Sequence, residues 1–258
     1  MKTNTLPRIL TLVLAVLLAL SATACCISSD EPAGGTLTPA PSYNTPTEPT
    51  ADIPASTEPA VETTTPTEPV QNTEVSMGTL SGTTYTNTYA GFGCTLDSDW
   101  TCLSADQLQE LPANIKEILK DTELGNYEVQ QFLDMQAENA NDFSSVNVLY
   151  QQVTLAERLT LATLSEEEIL NKVLAEEKDL MIETYAAAGF TVKSLTTKTV
   201  TFLGESRTAL HMEATIGDIA YYTLQIIDYS KGQYAVTLTA ASFMEDSTES
   251  LLELFYAV

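Results

Sequence analysis

The sequence predicts an α+β fold, an antiparallel sheet packed with helices, preceded by a signal peptide and a disordered linker. Three observations carry that prediction. An unbroken apolar run opens the chain, and a long Thr/Pro/Glu stretch without apolar periodicity follows it. Beyond Thr84, strand-like runs punctuated by glycine alternate with two stretches of helical spacing.

The first segment reads as an address. Lys2 and Arg8 form a positive region ahead of Ile9–Leu20, which is apolar except for Thr11. A membrane-spanning helix needs about 20 such residues, and this run is shorter, as the core of a signal peptide is. Ser21-Ala22-Thr23-Ala24-Cys25 comes next. Here the stretch resembles bacterial lipoprotein signals, in which small residues precede a cysteine that is lipidated and becomes the new first residue. Residues 1–24 are then the signal and Cys25 the lipidation site. Ala22 replaces the usual leucine, and Cys26 fits less well because Cys25 would precede its cut. Ala22-Thr23-Ala24 also satisfies an ordinary secretory cleavage site.

Residues 25–83 are expected to form the anchor cysteine and a disordered linker. Thr-Glu-Pro recurs at Thr47, Thr57 and Thr67. With no apolar periodicity, nothing opposes the entropy of the free chain. At about 3 Å per residue, some 45 residues would reach on the order of 130 Å. The linker's expected job is distance; binding to the cell wall is a secondary possibility. The chain carries a formal charge of -24. Removing Lys2 and Arg8 leaves nine basic residues against thirty-five acidic ones. Such a surface repels nucleic acid and anionic headgroups.

Residues 84–258 are expected to be one domain. Gly91–Leu96 and Trp100–Leu103 read as strands around the turn Asp97-Ser98-Asp99. As a hairpin with a three-residue loop they set Leu96 opposite Trp100 and Cys94 opposite Cys102. That spacing allows a Cys94–Cys102 disulfide; two reduced buried thiols are the rival reading. Ser104–Gln107 is a capping box opening a helix with Leu108, Leu111, Ile115, Ile118 and Leu119, broken or kinked at Pro112. Residues 127–137 and 145–154 read as strands. Ser165–Glu168 is a second capping box, starting the longest helix, with Ile169, Leu170, Val173, Leu174, Leu180, Met181 and Tyr185 on one stripe and Gly189 ending it.

Four strands follow, at 191–203, 207–216, 219–229 and 233–243. A three-residue Ser230-Lys231-Gly232 loop pairs Ile226 with Val236, Leu224 with Leu238 and Tyr222 with Ala240. The same logic at Gly217 places Leu210 and Met212 beside Leu224 and Tyr222. A short helix closes the chain, capped by Asp246 and Glu249, with Leu251, Leu252 and Phe255 facing in.

This order of elements, with Tyr89-Ala90-Gly91-Phe92 and Leu96-Asp97-Ser98-Asp99-Trp100, resembles the PsbP/Mog1-like family, and more narrowly clostridial-type lipoproteins carrying that domain. The usual proline of the turn is missing, and Cys94 and Cys102 are additions. The resemblance covers about residues 84–258. It implies an α/β/α sandwich and a binding or accessory role, and it carries over no catalytic residues.

His211 is the one histidine. It is expected to be half-exposed, on the strand face opposite Leu210 and Met212, with no activated serine or cysteine beside it. No G-x-S-x-G, H-E-x-x-H or phosphate-binding glycine loop occurs. Asp97-Ser98-Asp99 reads as a turn before it reads as a calcium ligand set. Glu166, Glu167 and Glu168 favour the helix dipole over a metal. Paired carboxylates for an envelope enzyme are not singled out among so many acids. The expectation is no catalytic residue, no metal and no cofactor. The partners expected are a membrane through the lipid anchor and an envelope protein, not nucleic acid, for a monomer displaying a binding or accessory domain. A sensing lipoprotein is the further alternative.

Overall fold

The computed structural model describes residues 77–108 and 131–258. Cys25, the linker up to residue 76, the continuation of the Ser104 helix past Leu108, and the start of the 127–137 strand lie outside them. Among the described residues the strands are β1 (Thr79–Ser81), β2 (Thr84–Asn87), β3 (Phe92–Thr95), β4 (Trp100–Cys102), β5 (Gln131–Asn139), β6 (Ser145–Gln152), β7 (Phe190–Phe202), β8 (Glu205–Ile216), β9 (Ile219–Asp228), β10 (Tyr234–Phe243) and β11 (Phe255–Ala257). The helices are α1 (Leu155–Leu161), α2 (Glu166–Ala187) and α3 (Thr248–Leu252). Regular structure thus begins at Thr79, ahead of the expected Thr84; three exposed residues carry too little pattern to be read as a strand.

The α+β class holds, with two antiparallel sheets. One runs β1-β2-β3-β11 and the other β4-β5-β6-β10-β9-β8-β7. Every pairing is antiparallel. Strand residues alternate between faces, so the large sheet has two covered faces. Val146, Val148, Tyr150, Leu224, Ile226, Val236, Leu238 and Ala240 turn one way, into a core shared with Tyr85, Phe92, Cys94 and Phe255 of the small sheet. Leu195, Leu210, Met212, Tyr221, Ile227 and Ala241 turn the other way, against Leu161 of α1 and Ile169, Leu170, Met181 and Tyr185 of α2.

The register departs from expectation in two instructive ways. Between β9 and β10 the observed pairs are Leu238 with Ile226 and Ala240 with Leu224. That is two residues from the expected alignment, because the pairing closes with Asp228 opposite Val236 and leaves residues 229–235 in the connection. A two-residue slip preserves the face of every side chain, so burial is satisfied either way. Between β8 and β9 the slip is one residue. Leu210 opposes Gln225 and Met212 opposes Thr223, so Leu210 and Leu224 lie on opposite faces. The turn there is Gly217-Asp218, with Gly217 at φ 58°, a two-residue hairpin with glycine in its first central position. Both faces of this sheet are buried, so polarity did not forbid the odd shift.

The expected hairpin around Asp97–Asp99 does not form. β3 pairs with β2 and β11, whereas β4 pairs with β5. The chain changes sheet at the turn, where the Trp100 amide donates to Asp97 O (3.3 Å). Cys94 sits opposite Tyr85 and Phe255, and Cys102 opposite Ala137. They are not cross-strand partners, and both thiols are free here.

The helix starts follow their sequence. Ser165 and Glu168 form a complete capping box on α2, and Gly189, at φ 89°, ends it. The Ser104 and Gln107 reciprocal bonds form at the first helical turn, 105–108. Thr154 and Glu157 form a third capping box on α1, a helix not among the sequence expectations, whose N-cap the 145–154 strand took in. At the C-terminus Asp246 does accept from the backbone amide of Thr248 (3.2 Å), the first residue of α3, whereas Glu249 pairs with Lys198. Ser247 is the N-cap of α3 without a side-chain bond, and Phe255 belongs to β11, added to the edge of the small sheet.

Candidate functional site

A cleft opens where the small sheet meets one end of the large one. Its cavity is 270 Å³. Phe92 of β3, Phe202 of β7, Ile226 of β9 and Val236 and Leu238 of β10 give it an apolar floor. Glu205 and Arg207 of β8, Asp228 of β9 and Lys231 of the following loop place two acids and two bases around it. The bases are partly engaged: Arg207 Nε donates to Glu166 Oε1 (2.6 Å), and Lys231 Nζ lies 3.6 Å from Asp228 Oδ2.

The floor is rigid. Phe92, Phe202 and Phe255 form a three-ring cluster with centroids 5.7–6.2 Å apart, two of the contacts edge to face, a geometry aromatic rings favour. Leu203 stands at the mouth. It and Gly204 form the two-residue turn between β7 and β8, with φ of 52° and 83°. Asparagine or glycine suits that conformation; leucine there is strained. The strained residue is also 36% exposed, so the turn holds an apolar side chain out beside an apolar cavity.

A buried polar centre bolts the two sheets together next to this core. Asp134, 8% exposed, sits at the β5 bulge. Its carboxylate accepts from the Tyr85 hydroxyl (2.6 Å), the Asn87 amide (2.6 Å) and the Gly78 backbone amide (2.9 and 3.0 Å). Asn87 also donates to the Tyr150 hydroxyl (2.7 Å). Burial first, then the Asp134 charge, push the Tyr85 phenol far above its ordinary value, so it stays a donor. Gly78 is required by the close approach, since a Cβ there would lie 2.2 Å from the Tyr85 ring. This centre was not singled out in the sequence, because its five residues are dispersed over strands and a strand flank that carry no motif.

His211 does lie on the face opposite Leu210 and Met212, as expected, but it is buried, at 7% exposure. The segment leading into α3 covers it. His211 Nε2 is 3.0 Å from Asp246 Oδ2, while the Thr248 hydroxyl donates to Asp246 Oδ1 (2.6 Å) and Lys198 bridges Glu249 (2.6 Å) and Asp246 (3.9 Å). Asp246, expected as a helix cap, is the hub of this cluster. Burial pushes its carboxyl up, but the Thr248 bonds and His211 outweigh that and hold it below the usual value.

The remaining motifs resolve locally. The Asp99 amide donates to Asp97 Oδ1 (2.9 Å), an Asx turn. Glu166 binds Arg207 and the Thr208 amide, and Glu168 binds Ser165. Among the described residues no three His, Cys, Asp or Glu gather as a metal site, and no helix is long and apolar enough to cross a membrane. No family model matches the chain, and no curated protein does.

Proposed function

We propose that this protein is a lipid-anchored extracytoplasmic lipoprotein whose folded domain, a PsbP/Mog1-like variant, is a non-catalytic binding module, with the inter-sheet cleft as its binding site. The cleft carries the reading: a 270 Å³ apolar cavity ringed by Glu205, Arg207, Asp228 and Lys231 beside the strained, outward Leu203. Its size and balanced charge suit an apolar side chain of a protein partner flanked by charges of both signs, a pattern of buried anchor and polar rim. The family resemblance is supported by Phe92, Leu96 and Trp100, which all enter the core shared by the two sheets.

Two experiments test the two halves of the proposal. An alkyne fatty acid fed to cells should label the protein, and Cys25→Ser should remove the label while Cys26→Ser retains it. Label retained on Cys25→Ser would overturn the anchor. For the cleft, a photo-crosslinking residue placed at Glu205 should give a discrete adduct in the native envelope, and one at the exposed Glu176 of α2 should not. Leu203→Asp should cut the Glu205 adduct at least about tenfold, the loss of a central contact, without unfolding the domain, because aspartate takes the left-handed conformation more readily than leucine. Equal adducts from both positions, or no effect of Leu203→Asp, would sink the site.

A further inference from the structure

We infer that Cys94 and Cys102 are an oxidisable pair whose disulfide would staple the small sheet to the large one. Compartment and role rest on the extracytoplasmic reading above; the pairing itself rests on the fold. β3 belongs to the small sheet and β4 to the large one, and they are joined only through Leu96 and the tight turn at Asp97–Trp100. On each arm the inward residues alternate with an outward threonine. Cys94 and Leu96 are buried on either side of exposed Thr95; Trp100 and Cys102 point inward on either side of exposed Thr101. All four inward side chains join one core. Burial pushes the Cys94 thiol up to about 12, and the Cys102 charge adds to that push.

The environments set the order of events. Cys94 is 0% exposed and Cys102 is half-buried. Only Cys102 can meet an external disulfide. Its thiolate sulfur attacks one sulfur of the oxidant, the oxidant's S–S bond breaks, and one thiol leaves carrying the Cys102 proton. Cys94 sulfur then attacks Cys102 sulfur within the mixed disulfide. That bond breaks, and the second oxidant thiol leaves with the Cys94 proton. Two protein thiols are oxidised and one small-molecule disulfide is reduced to two thiols. The oxidant class is a glutathione-like disulfide or an exported dithiol oxidase.

The test uses the full chain equilibrated with reduced and oxidised glutathione, then acid-quenched, unfolded and alkylated. Cleavage after Asp97 and Asp99 separates the two cysteines unless they are bonded, and cleavage after Asp30 and Asp52 leaves Cys25 and Cys26 on other fragments. The expected product is a Cys94–Cys102 linked peptide, two hydrogens lighter and released by reductant. With Cys102→Ser, Cys94 should stay free of glutathione; with Cys94→Ser, a stable Cys102–glutathione adduct should accumulate. Closing so short a loop should raise the thermal midpoint by about 5–10 °C over the reduced protein. Full alkylation of both cysteines at oxidising ratios, or glutathione on Cys94 in the Cys102→Ser chain, would overturn the pairing. Neither outcome depends on the anchor, which the fatty-acid label tests separately.

Discussion

At the scale of single residues, several buried polar side chains are held in small hydrogen-bonded clusters. Asp246 is the clearest case. Its ordinary carboxyl value is about 3.9, and in the folded chain it is lowered by Thr248 and His211 against the opposing effect of burial. A group whose folded value is depressed contributes stability above its unfolded value and loses that contribution as the pH falls through the folded one. Replacing it by Asp246→Asn should therefore cost about 1 kcal/mol near pH 5, a typical net worth for such hydrogen bonds. The gap between wild type and variant should close as the pH is lowered toward 2. Urea unfolding at a series of acidic pH values measures it, and a gap that does not narrow would refute the role given to Asp246. Nothing local marks the contact between His211 and Asp246, which lie 35 residues apart. The strand alternation around His211 was legible, and its cover was not, since burial of an outer strand face depends on what a distant segment lays over it.

At the scale of elements, local signals were the most dependable part of the sequence. The capping boxes at Ser104 and Ser165 formed because their bonds need only three residues of separation. The third, Thr154 with Glu157, carried the same signature and was overrun because the apolar run of β6 continues to Val153. The closing helix has no such box: Ser247 makes no side-chain cap, and the Thr248 amide is met by Asp246 instead. Ser165→Ala should accordingly destabilise the protein by about 1 kcal/mol, while Ser247→Ala should change it by less than about 0.5 kcal/mol. Chemical denaturation of the two variants decides it, and equal losses would show that the capping geometry is not the cause. Hairpin registers were less legible. At Gly217 a turn of two residues and one of three both bury apolar side chains, since each sheet face has its own core.

At the scale of the whole molecule, the two sheets are held by a shared apolar core, by the Phe92–Phe202–Phe255 cluster and by the Asp134 centre. Asp134 reaches β2 and Gly78 just before β1, so it ties the first two strands of the small sheet to β5 of the large one. Asp134→Ala would leave the Tyr85 hydroxyl and the Gly78 amide without their acceptor, while the Asn87 amide keeps the Tyr150 hydroxyl. Each group so stranded costs about 1–3 kcal/mol, so a loss of at least about 2 kcal/mol is expected. Proteolysis should then begin at the β1–β2 hairpin, read as new cleavage near Tyr85 by mass spectrometry. A loss below about 1 kcal/mol would mean that the carboxylate does not join the sheets. No sequence pattern announces this centre, because its members come from four separate strands or their flanks.

The sequence by itself determined that a short apolar run and a Pro/Thr/Glu stretch precede the strand and helix patterns. It also determined the four long strands from Phe190 to Phe243 and the α2 helix, because composition, alternation and capping act over a few neighbouring residues. Only the tertiary structure decided that the strands divide into two sheets, that Cys94 and Cys102 stand on different ones, and that a charged-rimmed apolar cleft opens between them. Those outcomes depend on which distant surfaces bury one another, and burial is proportional to area removed from water, not to order along the chain. Pairing between β3 and β4 looked favourable from the turn alone. Pairing of β3 with β2 and the distant β11 instead lets Phe92 and Phe255 close over Phe202, a contact among residues from three strands.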